Sequence, residues 1–479
     1  MTLRPEPDAA TQIGPPRVTT DHSPEGSRPT IATVLATPRF AFLVVGQTIS
    51  QLGDKLHHMA LITLVGAGAA TNTGGLELAK LSVVFTAPVV LFGPFAGALV
   101  DRWNKRATMI ACDALRAILV GLIPWLYVST GRLWPVYVVA FLVFLLGTFF
   151  NSAKMALIPE LVAFEQLLPA NAALTFIGRF ATVIGIVGGG VIIGMSRWRT
   201  IGWSDYAAGF YLDSASYLVS VLTLLGIVVS QRTAGALRHP GRASVRSPTA
   251  SAGSPDALAS SPAASSPRVK RSLGSLVGDV RETVRVVRHH AGLRFVFSSL
   301  VLLALFASTV YVAMTYSVQS VMGKGAKGVG YLGGLLAAGT VVGSLVVGTL
   351  GSRWDKRQTI MIGTAGIGMM MIVGGIFFSF GMFAPVAFVG GALLAPVMVS
   401  QDTLLHEYAP TTSRGLIFST KDLIVGAVFM LAALAVGGGI FLLGRLGIDE
   451  PYRLALLGVG ALISAAGVAG ELSLLRRAQ

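Results

Sequence analysis

The sequence predicts an all-helical membrane protein with twelve transmembrane helices in two six-helix bundles. Three observations carry this. Only 12% of the 479 residues are charged and 53% are hydrophobic, whereas a soluble chain carries roughly 25% charged residues. Mean hydropathy is +0.71. The apolar residues also cluster in runs near the ~20 residues that cross a bilayer, too long for the ~10-residue alternating strands of a barrel. Many of the 57 glycines lie inside these runs, as in "IGIVGGGVIIG", where small residues let helices in lipid approach closely.

In chain order, the expected spans fall near 40–70, 77–100, 107–129, 134–159, 166–195 and 207–230, then 293–321, 329–350, 358–380, 382–405, 414–443 and 452–474. Residues 1–38 are polar and Pro-rich without the apolar stretch of a signal peptide, and read as a disordered tail. The first bundle occupies 39–230. The connection at 231–291 begins as a Ser/Ala/Pro-rich linker. It ends in "VKRSLGSLVGDVRETVRVVRHH", where Leu273, Leu276, Val280, Val284 and Val287 recur three or four apart between Arg271, Arg281, Arg285 and Arg288. That is a basic amphipathic helix suited to an anionic leaflet. The second bundle occupies 292–479.

An even number of spans puts both termini on one side. The segments of that side hold about two dozen Lys/Arg against about eight opposite, which marks it as cytoplasmic. The expected location is the inner (plasma) membrane. The net charge of +15 is then largely topological, and no nucleic-acid partner is expected. A single cysteine, Cys112, excludes an intrachain disulfide and a thiol metal site.

The two bundles repeat one another. "GALVDRWNKR" at 97–106 recurs as "GTLGSRWDKR" at 348–357, pairing Gly97 with Gly348, Arg102 with Arg353, Lys105 with Lys356 and Arg106 with Arg357. Farther on, Lys154 pairs with Gln401 and Glu160 with Glu407. Within the decad, the acid Asp101 is replaced by Ser352. Repeat-built transporters place their site between the two units near the midplane.

These residues resemble a known family. "GALVDRWNKR" is similar to the signature loop between helices 2 and 3 of the major facilitator superfamily. "ISQLGDKL", "APVVLFGPFAGALVDRWNKR" and "SAKMALIPELVAFEQLLPANAAL" resemble its lysophospholipid transporters and macrolide-efflux-type exporters. The resemblance implies secondary active transport by alternating access, usually export or flipping of an amphipathic molecule. It further implies that Asp101 latches the two halves on the cytoplasmic side. Its expected partner is the start of span 11, near Thr411, Thr412, Ser413 and Arg414, where free helix N–H groups attract an anion.

Polar residues inside spans are costly and usually face a cavity. Gln47, Ser50, Gln51, Asp54 and His58 form one stripe on span 1, and Asn171, Thr175, Arg179 and Thr182 another on span 5. Lys154, Asp213 and Lys421 complete the expected substrate and proton cavity. Asp54 is the expected proton-coupling acid, with Lys154 and Arg179 supplying positive potential. Asp113 and Arg116, spaced i,i+3, read instead as a structural ion pair.

Other chemistry is disfavoured. His57 and His58 are adjacent and splay about 100° apart on a helix, unlike a metal pair at i,i+4. No phosphate-binding G-K-[ST] loop and no G-x-S-x-G nucleophile occurs. Neither an enzyme nor a cofactor is expected. The expectation is a monomeric carrier, driven by a proton gradient, that exports an amphipathic small molecule or drug. A lysophospholipid flippase is the alternative, and a non-transporting sensor or scaffold a remote one.

Overall fold

The computed structural model describes residues 30–69, 73–195, 198, 202–227, 273–351, 354–410 and 414–478. Twelve long helices run through them. In the first half these are α1 (Pro38–Gly68), α2 (Gly74–Val100), α3 (Lys105–Thr130), α4 (Trp134–Leu161), α5 (Leu167–Ile193) and α6 (Asp205–Gly226). In the second half they are α7 (Ala291–Val321), α8 (Gly325–Leu350), α9 (Lys356–Ile376), α10 (Phe380–Tyr408), α11 (Arg414–Arg445) and α12 (Pro451–Ala478). Eleven are long and apolar enough to span a bilayer. The other is α1, 31 residues long, whose hydropathy is lowered by its own polar stripe.

Residues 1–29 of the expected tail lie outside the described residues. Ile31–Leu35 forms a helical turn capped by Thr30, with Val34 fully buried. Most of the Ser/Ala/Pro linker lies outside the described residues, but Leu273–His289 is a helix as expected. Of the expected stripe, Val287 lies on its packed side and Val284 does not. Thr283 is fully buried and bonds Thr420 of α11 at 3.1 Å, Val286 and Val287 pack on the core, and Val284 is exposed.

The repeat is visible in the packing. α1 packs on α5 as α7 does on α11, α2 on α4 as α8 on α10, and α3 on α6 as α9 on α12. The two basic decads do equivalent work in each half. Asn104 and Asp355 accept from the backbone of Ala107 and Gln358 at 3.0 and 2.8 Å, so both are N-caps. Lys105 pairs with Glu160 at 3.6 Å, and Lys356 with Glu407 at 2.6 Å. Arg106 donates to the terminal carbonyls of α6 at Leu224 and Leu225, while Arg357 donates to the Tyr408 hydroxyl at 3.0 Å. In this structure these cations clamp their own bundles. The last four carbonyls of a helix have no partner within it, and Arg106 reaches two of those at the end of α6.

The bundles meet along α2–α11 and α5–α8, a pair of contacts that the repeat exchanges. Both are tightest at the ends remote from the linker helix. A Cβ built on Gly190 of α5 would lie 2.7 Å from the Cα of Gly330 on α8, and the reverse contact would be 2.6 Å. On the other crossing, a Cβ on Gly437 of α11 would lie 2.6 Å from the Gly75 carbonyl of α2. Nothing lies within 4 Å of a Cβ at Gly93, Gly97 or Gly348, near the linker-side ends. The halves touch at the distal end and part toward the linker.

Because the obstacle at Gly330 is backbone, Gly330→Leu should force α5 and α8 apart at the distal end, toward the ~8–10 Å interaxial spacing of ordinary helix packing. Spin-label distances between the distal ends of these helices, in a Cys112→Ser background, should lengthen. Unchanged distances would exclude the glycine crossing as the distal seal.

Candidate functional site

Where the halves part, they enclose a cavity of about 1130 Å³. Its floor lies near Ile186 of α5 and Gly333 of α8, and its walls extend to Asn171 and Leu345 near the linker-side ends of these helices. Gln47, Gln51, Asp54 and Lys55 line it from α1, Arg116 from α3, and Asn151 and Lys154 from α4. Asn171, Thr175 and Thr182 follow from α5. The second half contributes α8 only, through small and apolar residues with Thr340 and Ser344. Every ionisable group among the described lining residues belongs to the first half.

Arg116 organises this wall. Its side chain is 7% exposed and lies 2.7 Å from Asp54 Oδ1 and 3.1 Å from Asp113 Oδ1. The guanidinium also bonds the Tyr217 hydroxyl and sits over that ring at 4.0 Å. Tyr217 in turn donates to Asp54 Oδ1. Asp113 and Tyr217 are buried, while the Asp54 side chain is 31% exposed. Asp54 is thus the end of the network that reaches the cavity. Its Oδ1 is held twice, and no bond is recorded from its Oδ2 to a described residue. Arg116 and Asp113 balance in charge, so an ionised Asp54 leaves the trio with one surplus negative charge. Lys55 and Lys154 line the same cavity, so the charge on Asp54 is set against these lysines as well as against any proton or cationic group that enters.

This closeness depends on α1 packing against α6. A Cβ on Gly53 would lie 2.0 Å from Ser216 Oγ and 2.4 Å from Asp213 Oδ1. Only glycine lets the two helices meet there, and Tyr217 follows directly on Ser216.

Three expected site residues lie elsewhere. Asp213 is fully buried, bonded by Ser216 and 3.4 Å from His57 Nδ1, away from the cavity. His58 turns its Nδ1 to the Asp54 carbonyl at 3.0 Å and its ring to Phe85 and Phe144. Lys421 pairs with Asp402 of α10 at 3.0 Å. Gln401, the repeat partner of Lys154, bonds Ser299 of α7 within the second bundle. Lys154 lines the cavity and donates to Asn151 at 2.9 Å. Arg179 lies on α5, but its side chain, like that of Arg414, is outside the described residues, as are Ser352, Arg353 and 411–413. Arg116 and Tyr217 were not expected in the site. An arginine inside a span was the available signal, masked by its i,i+3 acid.

Comparisons with known proteins agree with this architecture. The family model of the Major Facilitator Superfamily matches residues 43–420. An uncharacterized MFS-type transporter of Bacillus subtilis, YfiS, is 29% identical over 182 residues, 38% of this chain and 40% of that protein. An uncharacterized MFS-type transporter of Mycobacterium tuberculosis is 27% identical over 204 residues, 42% of this chain and 45% of its own. The chain thus aligns with less than half the length of these relatives. Among solved structures, a bacterial homologue of the human lysosomal transporter Spinster, inward-facing and unoccupied, superposes with a TM-score of 0.61. It is 15% identical, over 91% of this chain and 95% of that one. An inward-facing bacterial homologue of the iron transporter ferroportin gives 0.61 at 14% identity, over 90% and 98%.

Removing the guanidinium by Arg116→Gln leaves Asp113 buried without its cation, which costs about 3–5 kcal/mol. Tyr217→Phe deletes one shared hydroxyl and should cost less, about 1–3 kcal/mol. Thermal unfolding of the purified variants should rank them in that order. Equal stabilities would show that Arg116 does not hold the wall together.

Proposed function

Because this chain belongs to the Major Facilitator Superfamily, a family of secondary transporters, we propose that it exports an amphipathic small molecule in exchange for protons. The observation that carries this reading is Asp54, a carboxylate anchored through Oδ1 by Arg116 and Tyr217 while its other oxygen is left for the cavity. A proton and a cationic group of the ligand compete for that oxygen. Lys154, farther along the same wall, receives an anionic group, and Arg179 of α5 adds positive potential. Competition for one site is what exchange requires: ligand loads when the proton leaves, and the proton loads when the ligand has gone.

The linker side is taken as cytoplasmic from its excess of Lys and Arg, so the cavity faces inward and the carrier works as a monomer in the inner membrane. Closing that side would bring Gly97 and Gly348, which have open space here, against the facing bundle. Asp101 caps the end of α2 and is exposed. In the closed form it would meet the start of α11, whereas the uncharged Ser352 leaves the pseudo-symmetric contact weak. One strong latch makes the equilibrium easily reversed.

A lipid substrate is the second reading. Phe176 and Phe180 of α5 and Val341 and Leu345 of α8 line the cavity and are each at least half exposed. Such an apolar edge suits entry of an acyl chain from the bilayer, as a lysophospholipid flippase would need.

In proteoliposomes loaded with dodecylphosphocholine, an imposed pH gradient should drive its flux through the wild type. Asp54→Asn should abolish the pH-driven component while retaining binding. PH-driven flux that survives the substitution would refute the coupling role, and flux without a gradient would favour the flippase. For the latch, Asp101→Asn should shift the population toward the linker-side-open form by about 1–3 kcal/mol. Label distances between the linker-side ends of α4 and α10 report this shift.

A further inference from the structure

A second cavity, of about 330 Å³, is lined mainly by the C-terminal bundle, with Met59, Ile62 and Ile186 from the first. Its lining is almost wholly apolar and includes Met59, Phe306, Met314, Met371, Phe383 and Leu456. Ile186, Gly333 and Leu336 line this cavity and the charged one alike. The partition between them is therefore one layer of side chains thick. A Cβ on Gly333 would lie 2.8 Å from the Ile186 side chain, so Ile186 reaches α8 where a glycine makes room and, with Leu336, separates the two spaces.

We propose that this cavity is the tail subsite of a bipartite ligand site. It takes the hydrocarbon part of a single-chain amphiphile whose charged head lies against Asp54 and Lys154. The proposal rests on the amphipathic-ligand reading above and adds to it the place and size of the apolar subsite. Four independent features favour it. Among the described residues, the charged groups of the larger cavity all belong to the first half, while the smaller cavity is lined almost wholly by apolar residues, so polarity changes sharply across the shared layer. Four methionines, Met59, Met314, Met370 and Met371, face the space, and unbranched thioethers adapt to varied apolar shapes. Two π-helical turns, Val310–Met314 and Ser317–Val321, interrupt α7 where it lines the cavity. Such turns cluster at functional sites. Finally, the buried Tyr311 hydroxyl has no hydrogen-bond partner among the described residues, and Tyr311 lines this cavity.

The size sets a limit. A dry 150 Å³ cavity holds benzene, or about 25 Å³ per carbon, so 330 Å³ takes about a dozen carbons.

Binding of n-alkylphosphocholines of increasing chain length, below their micellar concentrations, to the purified full-length protein in nanodiscs tests this. Affinity should rise about three- to fourfold per methylene, the gain for burying one CH₂, and level off near twelve carbons. Gly390 lines the cavity, and a Cβ there meets nothing within 4 Å. Gly390→Leu should therefore bring the plateau about four carbons earlier at the same ~25 Å³ per carbon, leaving short-chain affinity unchanged. Phe306→Leu, which enlarges the space, should move it later. Lys154→Gln should instead weaken every member by a similar factor. Affinity that climbs without a plateau, or a plateau that neither cavity variant moves, would overturn the tail subsite while leaving the head site standing. If no chain length binds, the amphipathic-ligand reading fails, and the tail subsite with it.

Discussion

A guanidinium buried among apolar helices must be matched by acceptors, and Arg116 meets that constraint with Asp113, Asp54 and Tyr217. Its partners come from α1, α3 and α6, so the pairing fixes three helices of the first bundle at once. The requirement also explains Gly53, without which α1 could not lie close enough to α6. A buried ion pair adds little stability compared with apolar packing, but breaking one is expensive. Such a group is retained for what it positions, and here it positions Asp54 at the cavity wall.

The two halves share a packing plan but divide the labour. Caps, helix-end clamps and glycine crossings are duplicated, with Lys105–Glu160 answered by Lys356–Glu407. The chemistry is not duplicated. Where the first half has Lys154 facing the cavity, the second has Gln401 bonded to Ser299 inside its own bundle, and α8 presents small and apolar residues to the same space. Among the described residues, the charged side of the cavity thus belongs to the first bundle and its uncharged side to the second.

The fold was legible because crossing hydrocarbon imposes long apolar runs, and duplication left a countable pattern. Even the helix caps were present in the decads as Asn104 and Asp355. Gln47, Gln51, Asp54 and Lys154 were legible as cavity groups because each sits on a polar stripe or stands isolated in an apolar span. Arg116 was not, since its neighbour Asp113 offered a sufficient local explanation, and helix spacing says nothing of a contact between α1 and α3. Asp213 and Lys421 failed in the opposite sense. An intramembrane charge looks alike in sequence whether it faces water or a partner, and Ser216, His57 and Asp402 supply partners that only the packing reveals. Tyr217 carried no signal at all, being one aromatic among many in an apolar run.

Exchange of a proton for ligand at Asp54 is open to one direct observation. Dodecylphosphocholine added to the purified protein in weakly buffered solution should release protons, because the choline group displaces the proton from the Asp54 carboxyl. The release should vanish in Asp54→Asn, although binding persists. Proton uptake on binding, or release of the same size in the variant, would contradict competition at Asp54.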